Sequence, residues 1–288
     1  MSLIILNLTW NARTHIFMIM TFQSNQDKRK SARDFRRQVI TEKKGDLGGK
    51  RKEPREICSP IHSFEVSYLE AKRIQNELRE KVELADLFTP PDDGVLVGGA
   101  DVAFISLGHD SPVKALAAVV TLNQGKNGVI EVSHAVMPVL YPYVPGYLSF
   151  REGPAILAAI GGLKILPRIM LYDGTGIAHP RGLGLASHMA VLTGIPSIGC
   201  AKSLLCGECA EPGTEKGDWT ELWFENRVVG ACLRTRKGVK PIYVSPGSGF
   251  TVRGAVEFVL SVCGKYRLPE PTRIAHALVT SGKEQAKY

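Results

Sequence analysis

The chain has 288 residues and a formal net charge of +8, with 44% hydrophobic and 22% charged residues. This balance is ordinary for a water-soluble globular protein and argues against a disordered or membrane-embedded chain. The length can bury one large core, so we expect a single α/β domain preceded by an N-terminal extension.

The positive charge is concentrated at the N-terminus. Residues 1–60 carry 13 Lys and Arg against 6 Asp and Glu, which leaves the rest of the chain close to neutral. The polar, charged stretch over 23–60 predicts a basic, flexible arm. Such an arm is either a solvated tail or a non-specific contact to phosphates, and the composition leaves both interpretations open.

Targeting and redox signals are weak. The apolar runs within 1–22 are short and interrupted by polar residues, so they predict neither a membrane span nor a secretory signal, and Met18 or Met20 is an alternative start. Cys206 and Cys209 have a metal-like spacing, but no second close pair accompanies them, which disfavours a zinc site. We therefore expect a cytoplasmic chain with reduced thiols and no membrane partner.

The body of the chain, residues 61–288, reads as alternating helices and strands. Apolar spacing over 62–86 predicts an amphipathic helix, and a Gly-rich turn at 125–128 favours an antiparallel meander of three strands. The three strands are predicted over 94–105, 114–122 and 129–137. Further strands are predicted over 169–172, 195–200, 228–233 and 242–244, and further helices over 150–163, 183–192, 252–262 and 271–278. This order indicates a mixed sheet with helices on both faces, and a ribonuclease H-like architecture fits it.

Three acids and one lysine are candidates for chemistry. Asp101 interrupts a buried strand, where a carboxylate is costly unless it is paired or binds a metal. Asp173 ends a buried strand, the edge at which α/β sheets bind ligands. Glu152 follows Ser149, a predicted helix N-cap, and Lys202 follows a strand. Each has a simpler interpretation. Asp101 also fits a satisfied buried acid and Asp173 a tight turn. Glu152 also fits an acid in the first turn of a helix and Lys202 a solvated lysine. Together the acids can converge on one Mg²⁺ that activates water and neutralises a phosphodiester.

The segment 141–147 (YPYVPGY) is unusual because two prolines stiffen a loop that carries three tyrosines. A rigid loop that presents an aromatic ring can wedge into a base stack or serve as a stacking platform. The simpler interpretation is a packed surface loop.

Five stretches resemble the endonuclease V family in order and spacing. They are 99–101 (GAD), 141–152 (YPYVPGYLSFRE), 173–181 (DGTGIAHPR), 199–207 (GCAKSLLCG) and 266–273 (YRLPEPTR). The resemblance extends from about residue 62 to 280 and leaves the first 60 residues outside it.

The resemblance implies a ribonuclease H-like fold and a DNA repair endonuclease. Such an enzyme cleaves the second phosphodiester bond 3′ to deoxyinosine with water activated by Mg²⁺, for which Mn²⁺ can substitute. By motif position, Asp101 and Asp173 would hold the metal. Glu152 would complete the acidic cluster and Lys202 would contact phosphate.

The resemblance also implies how the base is reached. Tyr143, beside Pro142, would be the tip of a wedge that opens the duplex. Backbone groups near Gly146, Leu148 and Gly174 would line the pocket for the extruded base, and a mispaired inosine is cheap to extrude.

One position departs from the family pattern, and two functional alternatives stay open. The family often carries His after Ser-Pro-Gly, where this chain has Ser248, so we expect weaker metal binding or a lower rate. The alternatives are the same chemistry on inosine in RNA, and a protein that binds the inosine strand without cutting it. A monomer is expected.

Overall fold

The structure is a computed structural model that describes most of the body of the chain. The described residues are 17–18, 61–87, 94–106, 112–124 and 128–285. The predicted basic arm over 23–60 therefore lies outside them, and the boundary near residue 60 stays a prediction. Within these ranges no helix combines the length and apolar character needed to cross a membrane.

The described strands form one mixed sheet in the order β1-β4-β3-β2-β5-β6-β9-β8-β7. Their bounds are β1 Phe17–Met18, β2 Leu96–Ile105, β3 Lys114–Asn123, β4 Gly128–Pro138, β5 Ile169–Tyr172, β6 Ser197–Ala201, β7 Trp219–Phe224, β8 Arg227–Leu233 and β9 Ile242–Ser248. The central strands β2, β5 and β6 are parallel, and all other pairs are antiparallel. The predicted meander of β2, β3 and β4 is confirmed, whereas most of its 125–128 turn lies outside the described residues.

Five helices among the described residues cover the two faces of this sheet. They are α1 Tyr68–Leu78, which continues into a 3-10 turn at Arg79–Lys81, α2 Leu148–Gly161, α3 Leu185–Thr193, α4 Val252–Ser261 and α5 Glu270–Gln285. Because side chains alternate along a strand, β5 contributes residues to the hydrophobic core on both faces of the sheet. Met170 and Tyr172 pack with α1, α2 and α3, while Ile169 and Leu171 pack with α4.

The helix α5 lies on the α4 face, along β2 and β3. Val279 packs with Leu116 and Ala118, and a Cβ on Gly282 would lie 2.7 Å from the Leu116 side chain. This close packing explains why α5 continues seven residues beyond the predicted end at residue 278, through a polar stretch whose composition does not suggest a helix.

One strand was missed and one local prediction was wrong. The strand β7 was missed because its apolar residues do not alternate, since the register shifts between Leu222 and Trp223. Ser149 is not a helix cap: α2 begins at Leu148 with Tyr147 at the N-cap, and the Ser149 hydroxyl is buried 2.8 Å from Nδ1 of His188. The helix starts earlier because the turn that ends at Tyr147 leads directly into it.

The loop after β5 rests directly on the backbone of β6 at Gly199. A Cβ there would lie 2.5 Å from the Gly174 carbonyl oxygen and 2.6 Å from the Gly176 nitrogen. We expect Gly199→Ala to lower the free energy of unfolding by about 1–3 kcal/mol, because backbone atoms cannot move aside as a side chain can. Urea unfolding measures this change.

The matched control for this prediction is Gly264→Ala. Its Cβ would approach Oε1 of Glu270 at 3.0 Å, the end of a flexible side chain. Equal losses of stability in the two variants would contradict the close packing of the loop on β6.

Candidate metal centre

Asp101 and Asp173 lie side by side on adjacent parallel strands. Ala100 of β2 is opposite Tyr172 of β5, and the Asp173 N–H donates to the Ala100 carbonyl at 3.3 Å. The carboxyl side chains are 12% and 19% exposed, respectively. The structure therefore brings together two acids that are separated by about a quarter of the chain.

His276 completes this group from α5. Its Nδ1 lies 2.7 Å from Oδ2 of Asp101, and the potential ligand atoms of Asp101, Asp173 and His276 all lie within 4.8 Å of one another. Within the described ranges this is the one cluster of three or more potential metal ligands, and it does not include Cys206 or Cys209.

The sequence analysis missed His276. A single histidine in an amphipathic helix carries no signal of its own, and the last stretch that resembles the family ends at residue 273. The available signal was the predicted helix itself. Its buried face holds Thr272 and Ala275, and one helical turn places His276 beside Thr272.

Lys202 follows β6 directly, so it lies at the same C-terminal end of the parallel strands as Asp173. Its Nζ is 2.5 Å from Oδ2 of Asp173 and 3.5 Å from Nδ1 of His276. An ammonium in this position partly balances the paired carboxylates and can also reach a phosphate bound beside them.

Glu152 is buried in α2 and is electrostatically part of the cluster. Burial, and then the charges of Asp101 and Asp173, raise the pKa of Glu152 well above its ordinary range. Burial, and then the Asp173 charge, likewise raise the pKa of Asp101. Negative charge is therefore in excess here, and a proton or a cation must offset it.

The donor set fits a divalent cation. Two carboxylates and one imidazole suit Mg²⁺ or Mn²⁺, which favour oxygen-rich sites and keep positions open for water and phosphate. The excess negative charge around Asp101 and Glu152 is what a cation would neutralise.

Ser248 lies away from this cluster, so the expectation that it replaces a metal-neighbouring histidine was wrong. It pairs with Ser197 at the start of β6, whereas Lys202 follows the end of that strand. The Ser248 hydroxyl accepts a hydrogen bond from the Glu83 N–H at 3.0 Å. The imidazole comes instead from His276, because α5 folds back over β2.

The 141–147 loop divides its tyrosines between core and solvent. Tyr141 and Tyr147 are 4% and 1% exposed, so the packed-loop interpretation holds for both of them. Tyr143 is 71% exposed and follows the exposed Pro142, so one aromatic ring projects from a stiff support.

Of the residues expected to line a base pocket, Gly146 contacts His179 and Arg181, which lie in the segment that begins at Asp173. Gly146 is buried with a φ of 79°, and Leu148 is half-buried at the start of α2. The glycines after Asp173 do not leave their N–H groups bare for a ligand. The Gly174 N–H donates to the Tyr172 carbonyl at 3.0 Å and the Gly176 N–H to the Ser245 hydroxyl at 3.0 Å.

Comparison with known proteins agrees with the geometry. A family model described as Endonuclease V matches residues 76–277. The Endonuclease V of Trichormus variabilis is 46% identical over 220 residues, which span 76% of this chain and 97% of that protein. The crystal structure of the Endonuclease V from Streptomyces avermitilis aligns with a TM-score of 0.71 and 39% identity, over 77% of this chain and 96% of that one.

A second similar structure contains nucleic acid. It is the Ciona intestinalis Endonuclease V in complex with a 23mer DNA containing an inosine followed by a ribo-adenosine, with a TM-score of 0.65 and 27% identity over 76% of this chain and 99% of that one. The expected ribonuclease H-like mixed sheet is confirmed by the order of strands and by these neighbours. The chain belongs to the endonuclease V family.

Proposed function

We propose that this chain is a metal-dependent endonuclease that cleaves the second phosphodiester bond 3′ to deoxyinosine, the product of adenine deamination. The observation that carries this proposal is the convergence of Asp101, Asp173 and His276, which come from three elements distant in sequence and meet at one edge of the sheet. Membership of the endonuclease V family supports the nuclease activity.

Asp101, Asp173 and His276 would hold Mg²⁺, for which Mn²⁺ can substitute. When bound, the ion supplies Lewis-acid activation of water and neutralises charge that builds on the phosphodiester. Glu152, buried close enough to Asp101 and Asp173 for their charges to raise its pKa, would complete the acidic cluster. Attack on phosphorus breaks the bond to the 3′ oxygen, which leaves a 3′-hydroxyl and a 5′-phosphate.

Lys202 holds the phosphate. Its ammonium pairs with Asp173 at 2.5 Å, so it can donate to a phosphate oxygen while Asp173 turns toward the cation. The loop 234–241 lies at the same edge, since β8 ends and β9 begins there, and it exposes Arg236 and Lys240. These cations give the near-neutral body a local phosphate-binding surface.

The 141–147 loop handles the base. Tyr143, on a support held by two buried tyrosines, would wedge into the stack. Backbone around Gly146 and Leu148 lines the pocket for the extruded base. The N–H of Gly174 is already engaged, so this glycine contributes close backbone approach rather than a free donor.

The proposed organisation of the chain is a catalytic domain over 61–288 with a basic N-terminal extension before it. The match to the family model, residues 76–277, lies within the proposed domain. A cytoplasmic location and a monomeric state stay predictions from the sequence.

A second candidate function is the same chemistry on inosine in RNA. It is favoured by the Ciona complex, whose DNA carries a ribo-adenosine after the inosine. A ribose at that position offers a 2′-hydroxyl that a protein can contact.

The experiment that separates these functions is a nicking assay with Mg²⁺ and with Mn²⁺. It uses three strands of one sequence: all-DNA, DNA with one ribonucleotide 3′ to the inosine, and all-RNA. We expect the all-DNA strand to be nicked at the second bond. A control strand of the same sequence with adenosine in place of inosine should stay intact. Nicking confined to the ribose-containing strands would reassign the substrate to RNA. Tight binding with no product at any Mn²⁺ concentration would identify a non-cleaving binder.

A further inference from the structure

The base of the 141–147 loop is a tight turn whose carbonyl is held by three donors. The Tyr147 N–H donates to the Val144 carbonyl at 3.0 Å, and Gly146 has a φ of 79°, which a turn with Pro145 before a glycine requires. The Gly146 carbonyl accepts three hydrogen bonds, from Gln75 Nε2 at 2.9 Å, His179 Nε2 at 2.8 Å and Arg181 Nη2 at 2.6 Å.

Arg181 ties these groups together. Its Nε donates to Oε1 of Gln75 at 2.6 Å, and its guanidinium lies 4.2 Å from the centre of the Tyr147 ring. Its backbone N–H donates to Nδ1 of His179 at 3.1 Å, so the His179 ring is neutral and donates through Nε2. Burial agrees with this state, because it lowers the pKa of His179 to about 4.

The three donors come from two separate parts of the fold. Gln75 lies in α1 and is 1% exposed, whereas His179 and Arg181 lie in the segment that begins at Asp173. The turn is therefore fastened both to a helix of the core and to the strand end that carries a metal-binding acid. Tyr143 is three residues before Gly146 and takes no part in these hydrogen bonds.

We propose that Gln75 and Arg181 are positioning residues that fix the exposed Tyr143 ring relative to the acidic cluster, so that opening of the duplex places the strand for cleavage. This inference rests on the proposed function. A ring that separates stacked bases must resist their restoring force, so its support must be stiff. We call Gln75 and Arg181, which hold the Gly146 carbonyl, the clamp. Without the clamp the loop pivots, and ordering it again on binding carries an entropic cost. A single strand needs no opening, so the clamp should matter mainly on duplex.

The test compares duplex and single-stranded inosine substrates under single-turnover conditions. We expect Arg181→Ala and Gln75→Met each to slow duplex nicking by about 10- to 100-fold, and single-strand nicking by less than about threefold. Gln75→Met keeps the side-chain volume and removes the amide, so it tests the clamp if Arg181→Ala unfolds. Thermal unfolding of each variant checks the fold.

A double variant shows whether Arg181 acts through the wedge. In a Tyr143→Ala background, Arg181→Ala should slow duplex nicking no further, because two changes to one device do not add. A second readout is the fluorescence of 2-aminopurine placed beside the inosine, measured in an Asp101→Asn background. Unstacking should brighten it, and Arg181→Ala should reduce that increase.

A direct phosphate contact is the competing role for Arg181. It predicts that Arg181→Lys restores duplex nicking and that Arg181→Ala lowers the salt slope of binding by about 0.9. The clamp predicts no rescue by lysine and an unchanged slope. Arg253→Ala, on an 81% exposed arginine of α4, controls for loss of charge.

The outcomes separate this inference from the proposed function. Equal losses on duplex and single strand, rescue by Arg181→Lys, or additive effects with Tyr143→Ala would overturn the clamp while leaving the nuclease intact. A wild-type chain that nicks neither substrate would remove the proposed function, and the clamp with it.

Discussion

Asp101→Asn and Asp173→Asn are each expected to slow nicking of an inosine strand by at least about 100-fold, because each removes a charge placed to stabilise the transition state. The fold should survive both changes, since asparagine keeps the shape of aspartate. For Asp101 the stability should be unchanged or higher. Burial and the Asp173 charge raise the pKa of the Asp101 carboxyl, so its ionised form opposes folding at neutral pH.

Initial rates on one inosine duplex and thermal unfolding together measure this prediction. The matched control is Glu257→Gln, which removes a carboxylate from the surface of α4 where it pairs with Arg253. Its nicking rate should equal that of the wild type. Full activity in either aspartate variant would show that the cluster is not the catalytic centre.

His276→Ala is expected to raise the Mg²⁺ or Mn²⁺ concentration needed for half-maximal nicking by about 10- to 100-fold. The loss of one of three ligand-forming side chains should cost at least as much metal affinity as the loss of an outer-shell partner. A titration of the nicking rate against metal concentration measures the shift. Direct Mn²⁺ binding, followed by the electron paramagnetic resonance of the free ion, should shift in parallel.

Ser248→Ala is the matched control, because it changes a polar side chain of β9 beside the start of β6, at the opposite ends of the strands from the acidic cluster. It removes the hydroxyl that accepts the Glu83 N–H, so a small loss of stability is expected without a change in metal dependence. A shift of the metal titration in Ser248→Ala but not in His276→Ala would reverse this assignment.

The succession of elements and the acidic candidates could be predicted from the sequence. Strong local patterns such as the apolar run of β5, ended by Asp173, need no distant information to be recognised. The same holds for Asp101, since a carboxylate in a buried strand is anomalous wherever that strand lies. The edge strand β7 could not be predicted, because its apolar residues do not alternate and its register shifts between Leu222 and Trp223.

The sequence by itself determined which residue types are available and where strands end, because these depend on local composition and spacing. Only the tertiary structure decided which of them meet. His276 of α5 lies against Asp101, and Ser248 lies at the opposite ends of the strands. The Gly146 carbonyl accepts hydrogen bonds from Gln75 and Arg181. The physical reason is that pairing and packing between distant elements depend on strand order and helix placement, which no local pattern encodes.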